Sequence, residues 1–342
     1  MSFQYIRQMP DVGDILASIP LSGDLVKVKG RRDGDIAAVF RGESDKFIVI
    51  IGPCSADNED AVCEYVSRLA RLQEEVKEKL ILIPRIYTNK PRTTGEGYKG
   101  MAHQPKPSEA PNMVKGLKAI RRMHIRAMKE SHLTAADEML YPGNYPYLED
   151  ILSYVAVGAR SVENQLHRLT ISGLDVPAGM KNPTGGDIEV MLNSVQAAQM
   201  PHVFVYNAWE VRTSGNPYTH CILRGAVNPY GTTIPNYHYE DLKRVSEAYK
   251  KRDLHFPAII VDTNHSNSNK KFIEQPRIAK EVMRSRMDSR TLRSKVKGLM
   301  IESYLVEGSQ KISENIYGKS ITDPCLGWED SERLVRDLAE LA

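Results

Sequence analysis

Apolar residues along this chain fall into short unbroken runs, separated by longer stretches in which they recur every three or four positions. The first run, FIVIIGPCS at 47–55, has the length and bulk of a buried strand. The stretch after it places Ala61, Val62, Tyr65, Val66, Leu69, Leu72 and Val76 at helical spacing, with Asp57 as the expected N-cap. LILIPRIY at 80–87 is a second apolar run, and further strands are predicted at 134–139, 154–160, 176–182, 220–226, 257–265 and 298–304. Most gaps leave room for a helix, as in DIEVMLNSVQAAQ and IEQPRIAKEVMRSR. Strands that are apolar on both faces and alternate with amphipathic helices predict a parallel sheet covered by helices. With eight of them, the expected fold is an α/β protein of the (β/α)8 TIM-barrel type rather than an open doubly wound sheet.

Two segments depart from the alternation. HVFVYNAWEVRTSGN at 202–216 holds two strand-like pieces with no helix between them, so it is expected to be a β-hairpin inserted before the sixth barrel strand. Residues 1–40 precede the repeat and are expected to form a short N-terminal extension, with a helix in KVKGRRDGDIAAVFRG leading into the barrel domain at 41–342. The segments 103–112 and 228–238, rich in Pro, Asn and Gly, are expected loops.

Composition narrows the partners. The chain of 342 residues is 41% hydrophobic and 26% charged, with a formal net charge of +3 and both signs interspersed. No basic tail or aromatic-interleaved basic stripe points to nucleic acid, and no apolar run is long enough to span a membrane. The start, MSFQYIRQMPDVGD, lacks the apolar core of a signal peptide, so a cytoplasmic location is expected. There the four cysteines would remain thiols. Cys63 falls in a helical pattern and reads as core, whereas Cys325 lies just after Asp323.

The candidate chemistry lies where the apolar runs end. Cys54, His265 and Glu302 each close or follow a predicted strand, and Asp323 lies in a turn before the last helix. A thiol, an imidazole and two carboxylates form a plausible set for a divalent metal ion (Mn, Fe, Co or Zn), whereas Mg would prefer oxygen ligands alone. Other strand ends carry Arg85 with Lys90 and Arg92, then Glu138, Arg160, Lys181 and Arg224. In a (β/α)8 barrel these ends meet at one mouth. Converging cations repel one another unless anions lie between them, so a substrate bearing phosphate or carboxylate groups is expected. The GKS triplet at 318–320 lacks a Walker loop, and GMKNPTGGD lacks a dinucleotide fingerprint.

IGPCS, KPRTT followed by GYKG, GARSVENQLHR, GMKNPTGGD, ILRGA, NHSNSNKK, VEGSQ and YGKSITDPCLGWED together resemble class I 3-deoxy-D-arabino-heptulosonate 7-phosphate (DAHP) synthases, from about residue 20 to the C-terminus. The resemblance implies condensation of phosphoenolpyruvate with erythrose 4-phosphate and water, releasing phosphate, at the entry to the shikimate pathway. It implies that Cys54, His265, Glu302 and Asp323 are the metal ligands. It further implies that Arg85 and Lys181 hold the phosphoenolpyruvate carboxylate, while Arg160, Arg224 and the Ala159 backbone hold its phosphate. Lys90 would move a proton near the reacting enol, Glu138 would orient the cations or a water, and Arg92 with Thr93 would grip the phosphate of erythrose 4-phosphate. A homodimer or homotetramer is implied as well. KPRTT favours the four-carbon acceptor over the five-carbon acceptor of related octulosonate synthases, whose motif resembles KANRSS. A synthase using an amino- or other phosphosugar acceptor is the alternative. The hairpin at 202–216 is shorter than in relatives inhibited by aromatic amino acids, so weak or absent feedback inhibition is expected.

Overall fold

The computed structural model describes residues 2–342. Two helices come first, α1 (Val12–Ser18) and α2 (Gly23–Arg41), followed by β1 (Phe47–Gly52), α3 (Glu59–Val76), β2 (Leu80–Pro84), α4 (Met113–Ser131), β3 (Ala136–Glu138), β4 (Tyr154–Val157), α5 (Gln165–Ile171), β5 (Ala178–Lys181) and α6 (Ile188–Gln199). Then come β6 (Val203–Tyr206), β7 (Trp209–Arg212), β8 (Thr219–Leu223), β9 (Ala226–Val227), β10 (Thr233–Ile234), α7 (Tyr239–Lys250) and β11 (Ile259–Asp262). The chain ends with α8 (Gln275–Met287), α9 (Arg290–Lys295), β12 (Val296–Glu302), β13 (Val306–Ser309), β14 (Lys319–Ser320) and α10 (Trp328–Leu341).

Eight strands pair in the order β2-β1-β12-β11-β8-β5-β4-β3, every neighbour parallel. The ladder closes on itself between Arg85 and Ala136, where the Ile86 N–H donates to the Ala136 carbonyl at 2.9 Å. This is the predicted (β/α)8 barrel. Its strands are apolar throughout because both faces are buried: Phe47, Val49 and Ile51 pack outward among the helices, while Ile48 and Ile50 point into the barrel. The inserted hairpin is β6 with β7, antiparallel, and β8 after it is the sixth barrel strand, as expected.

Helix α2 begins earlier than the sequence pattern indicated and plugs the N-terminal end of the barrel. Its Ile36, Val39 and Phe40 join Ile48, Ile50, Ile81, Ile83 and Met300 in the interior cluster. The buried Arg32 guanidinium donates to the Leu82 carbonyl. The N-cap of α3 is Asn58, whose side chain accepts from the Ala61 N–H at 3.1 Å, and not Asp57. Asp57 instead accepts a hydrogen bond from Tyr304 across the C-terminal face. The expected loop at 228–238 is closed by the short antiparallel ladder of β9 with β10. Among the described residues no helix is long and apolar enough to cross a membrane.

Candidate active site

The C-terminal end of each central strand delivers one polar group to a common mouth. β1 runs out at Gly52, where an added Cβ would lie 2.3 Å from the Arg85 carbonyl oxygen, so only glycine allows β2 to lie this close. The close approach lets Arg85 reach across β1, donating from Nε to the Pro53 carbonyl at 3.1 Å and from Nη2 to the Cys54 carbonyl at 3.2 Å. Arg85 Nη2 also lies 2.8 Å from Glu302 Oε1, at the end of β12, with both side chains almost fully buried. The guanidinium stacks 3.8 Å over the Tyr87 ring, yet its Nη1 is buried without a partner.

Cys54, Glu302 and Asp323 place a ligand atom each within 4.8 Å of one another. His265 stands beside this trio rather than inside it, with Nε2 3.8 Å from Glu302 Oε1 and Nδ1 2.9 Å from Asp262 Oδ2. The His265 backbone adopts a left-handed conformation, φ 49°, unusual for a non-glycine residue and typical of functional turns. Lys90 bridges the acids, donating to Cys54 Sγ at 2.7 Å and to Asp323 Oδ2 at 2.8 Å. Its own burial disfavours the charge, but Cys54 and Asp323 outweigh that and hold the ammonium form. Burial, reinforced by Glu302, pushes the Cys54 thiol up to about 11. Against the upward pull of burial, Arg85 and His265 keep Glu302 below the usual carboxylate range, and Lys90 does the same for Asp323.

The donor set suits a divalent ion: one thiol and two carboxylates already converge, and an imidazole borders them. Such an ion would supply the positive charge now furnished by Lys90 and Arg85. It would also favour the thiolate form of Cys54.

Above this cluster lies a cavity of about 250 Å³ whose wall includes Arg85, Lys90, Arg92, Thr93, Glu138, Ala159, Arg160, Lys181, Arg224, His265 and Asp323. Every substrate-binding residue expected from the sequence therefore borders one space, with Cys54 and Glu302 buried beneath it. At the end of β5, Lys181 lies 3.0 Å from the buried Asp262, which ends β11. Against its burial, Asp262 is held well below the usual range by His265 and Lys181. Arg224 is also lowered, mainly by burial, with Arg160 adding like-charge repulsion. Glu138 ends β3 and abuts Gly158, where an added Cβ would lie 2.2 Å from Glu138 Oε1.

Three supporting residues were not singled out in the sequence. Asn264 donates to Glu302 Oε2, and Gln275 takes both backbone groups of Glu302, donating to its carbonyl at 2.8 Å and accepting from its N–H at 2.9 Å. Lys270 reaches within 3.8 Å of Asp323 and borders the cavity. The polar run NHSNSNKK after β11 was the available signal for two of them.

The sequence profile of the DAHP synthetase I family matches residues 25–336. The chain is 36% identical over 334 residues to the Phe-sensitive phospho-2-dehydro-3-deoxyheptonate aldolase of Escherichia coli K12, covering 95% of this chain and 92% of that protein. It is 33% identical over 351 residues to the phospho-2-dehydro-3-deoxyheptonate aldolase of Corynebacterium glutamicum, covering 98% and 91%. The solved phospho-2-dehydro-3-deoxyheptonate aldolase of Francisella tularensis SCHU S4 superposes with a TM-score of 0.91 at 30% identity, covering all of this chain and 98% of that one.

Proposed function

The chain belongs to the DAHP synthetase I family, and from that premise we propose that it is a metal-dependent synthase joining phosphoenolpyruvate to D-erythrose 4-phosphate. The observation that carries this reading is one cavity bordered by Arg85, Lys90, Arg92, Arg160, Lys181 and Arg224 beside a thiol-carboxylate cluster. Two phosphate esters and a carboxylate supply the negative charge such a cavity requires.

In the proposed reaction, Arg85 and Lys181 bind the phosphoenolpyruvate carboxylate, Arg85 through the Nη1 donor that no protein group satisfies. Arg160, Arg224 and the Ala159 N–H hold its phosphate, and Arg92 with Thr93 holds that of the acceptor. These clamps fix the enol carbon opposite the acceptor aldehyde, and holding two anions together in this geometry is itself a large part of the rate enhancement. The new carbon–carbon bond forms from the enol carbon, leaving an electron-poor centre at the phosphorylated carbon. Water adds there, and the hemiketal phosphate expels inorganic phosphate. Lys90, an ammonium, donates a proton to the developing acceptor oxygen, and Glu138 orients the water and the neighbouring cations. A divalent ion held by Cys54, His265, Glu302 and Asp323 would supply Lewis-acid polarisation of the acceptor carbonyl.

The proposal includes a cytoplasmic homo-oligomer. Val203, Val205 and Trp209 on the hairpin, and Phe3, Tyr5 and Ile6 on the N-terminal arm, are exposed, which supports burial against another copy.

The deciding experiment is phosphate release from phosphoenolpyruvate with a panel of aldose phosphates, after chelation and metal add-back. The expected result is activity with erythrose 4-phosphate that vanishes on chelation and returns with metal. Cys54→Ala and His265→Ala should lose both bound metal and turnover. Preference for an amino- or five-carbon phosphosugar would favour the alternative acceptor, and full activity in the chelated enzyme would refute the metal role. The hairpin covers a cavity of about 280 Å³ bordered by Tyr145, Glu149, Phe204, Tyr206 and Arg212. Adding Phe, Tyr or Trp to the same assay therefore tests the expected insensitivity, which inhibition by any of them would overturn.

A further inference from the structure

The opposite end of the barrel holds a second concentration of positive charge that the proposed reaction does not use. A cavity of about 490 Å³ lies where α2 ends, β1 and β12 begin, and α9 crosses. Lys46, Arg286, Arg290, Arg293, Lys295 and Lys297 border it together with Arg41, and Asp45 is its one acid. Among the described residues, Arg41 pairs with Glu43, but none of the other six forms an ion pair.

Arg286 is the telling member. It is 7% exposed and its guanidinium lies 4.3 Å over the Phe47 ring, yet its Nε is buried with no partner. Its Nη1 has only the Met283 sulfur, at 3.8 Å. A buried charged donor left without an acceptor is costly, and so are unpaired like charges around one cavity. The repulsion is relieved when an anion enters. Burial and the neighbouring cations already lower Arg286, to about 10, and Lys297.

We propose that this N-terminal face binds a small anion carrying two or more phosphoryl groups. Six unpaired cations exceed what a single carboxylate or monophosphate balances, and the planar arginine forks match phosphate oxygens. A concave space of this size, with a buried arginine in its wall, fits a small molecule rather than a nucleic-acid backbone. The site is separate from the catalytic mouth. β12 starts beside it at Val296 and reaches Glu302 at the other end, a rise of about 20 Å.

The test is equilibrium dialysis of the full-length protein against inorganic tripolyphosphate, ATP and citrate. Wild type is compared with Arg290→Ser and with Arg293→Ser/Lys297→Ser. These variants spare the Arg286 stack on Phe47, and none lies in the catalytic machinery, so kcat with phosphoenolpyruvate should be unchanged. With phosphoenolpyruvate present to occupy the catalytic mouth, the expected result is one tripolyphosphate site per chain that weakens about tenfold or more in the double variant. ATP binding at the same site would identify nucleotides as a source, and tripolyphosphate binding alone would identify inorganic polyphosphate. Equal binding by wild type and double variant overturns the proposal, as does citrate binding as tightly as tripolyphosphate.

Discussion

Replacing Lys181 by methionine separates the structural role of the deep ion pairs from their proposed role in binding. Lys181 Nζ lies 3.0 Å from Asp262 Oδ2, with side-chain exposures of 4% and 0%. Methionine keeps the apolar stem and removes the charge. Asp262 then remains buried with the His265 imidazole, whose Nδ1 lies 2.9 Å away, as its remaining close side-chain partner. Breaking a buried pair from one side costs about 3–5 kcal/mol, and the lower end applies here because His265 remains. The substrate carboxylate simultaneously loses a charge-assisted donor, a loss of about 1.5–3 kcal/mol. That corresponds to a rise in KM for phosphoenolpyruvate of about 10- to 150-fold. Lys181→Met/Asp262→Asn removes the stranded carboxylate, so it should recover most of the stability and none of the affinity. Urea midpoints and initial rates on the three proteins give both readouts. A wild-type midpoint in the single variant would refute the energetic reasoning, and a wild-type KM in the double variant would refute the binding role.

Two further outcomes follow from buried geometry elsewhere. His220 is fully buried, with Nε2 2.7 Å from the Tyr154 hydroxyl, and burial pulls it from 6.5 down to about 4. The unfolded chain therefore takes up this proton first as pH falls, and stability is lost between about pH 6.5 and 4, by about 3 kcal/mol in total. Denaturation at pH 7.5 and 4.5 should show most of that loss in wild type but not in His220→Gln, and equal losses would show that His220 is not responsible. Gly158→Ala would drive a Cβ to 2.2 Å from Glu138 Oε1 and displace the carboxylate. The expected result is a kcat lower by about 10- to 100-fold with little change in Tm, and an unchanged kcat would remove Glu138 from the mechanism.

The barrel was legible because burial on both faces leaves a run such as FIVIIG without a polar residue, and the fold class follows from counting such runs. The first turn of α2 was not: the sequence pattern predicts the helix from Lys27, and the GDLV before it opens on a glycine, a weak helix former. Strand ends announced the charged groups, because the position of a residue after a strand is a local property. What depends on contacts between distant segments stayed hidden. Gln275 reaches Glu302 across 27 positions, and the turn that gives His265 its positive φ is set by packing rather than by composition. The basic cavity shows the same limit. Arg286, Arg290, Arg293, Lys295 and Lys297 lie close together in sequence, but the fold is what sets Lys46 beside them with Asp45 as the one acid.

The cations of the catalytic mouth divide into two groups, and the division carries an argument about binding. Arg85, Lys90 and Lys181 each sit against an acid, Glu302, Asp323 and Asp262 respectively. Arg92, Arg160 and Arg224 border the same cavity, and among the described residues none of them has a carboxylate partner. A substrate carboxylate meeting Arg85 and Lys181 must share them with acids already in place, so its net gain is smaller than that of a phosphate, but its direction is fixed in advance. A phosphate meeting Arg160 and Arg224 relieves repulsion that the free protein bears, so each of its contacts adds more to affinity. Under the proposed reading, then, the phosphates provide most of the binding and the buried pairs provide the alignment. Affinity for both substrates should therefore fall steeply with ionic strength through the shallow arginines, while kcat, set by the buried pairs, changes little.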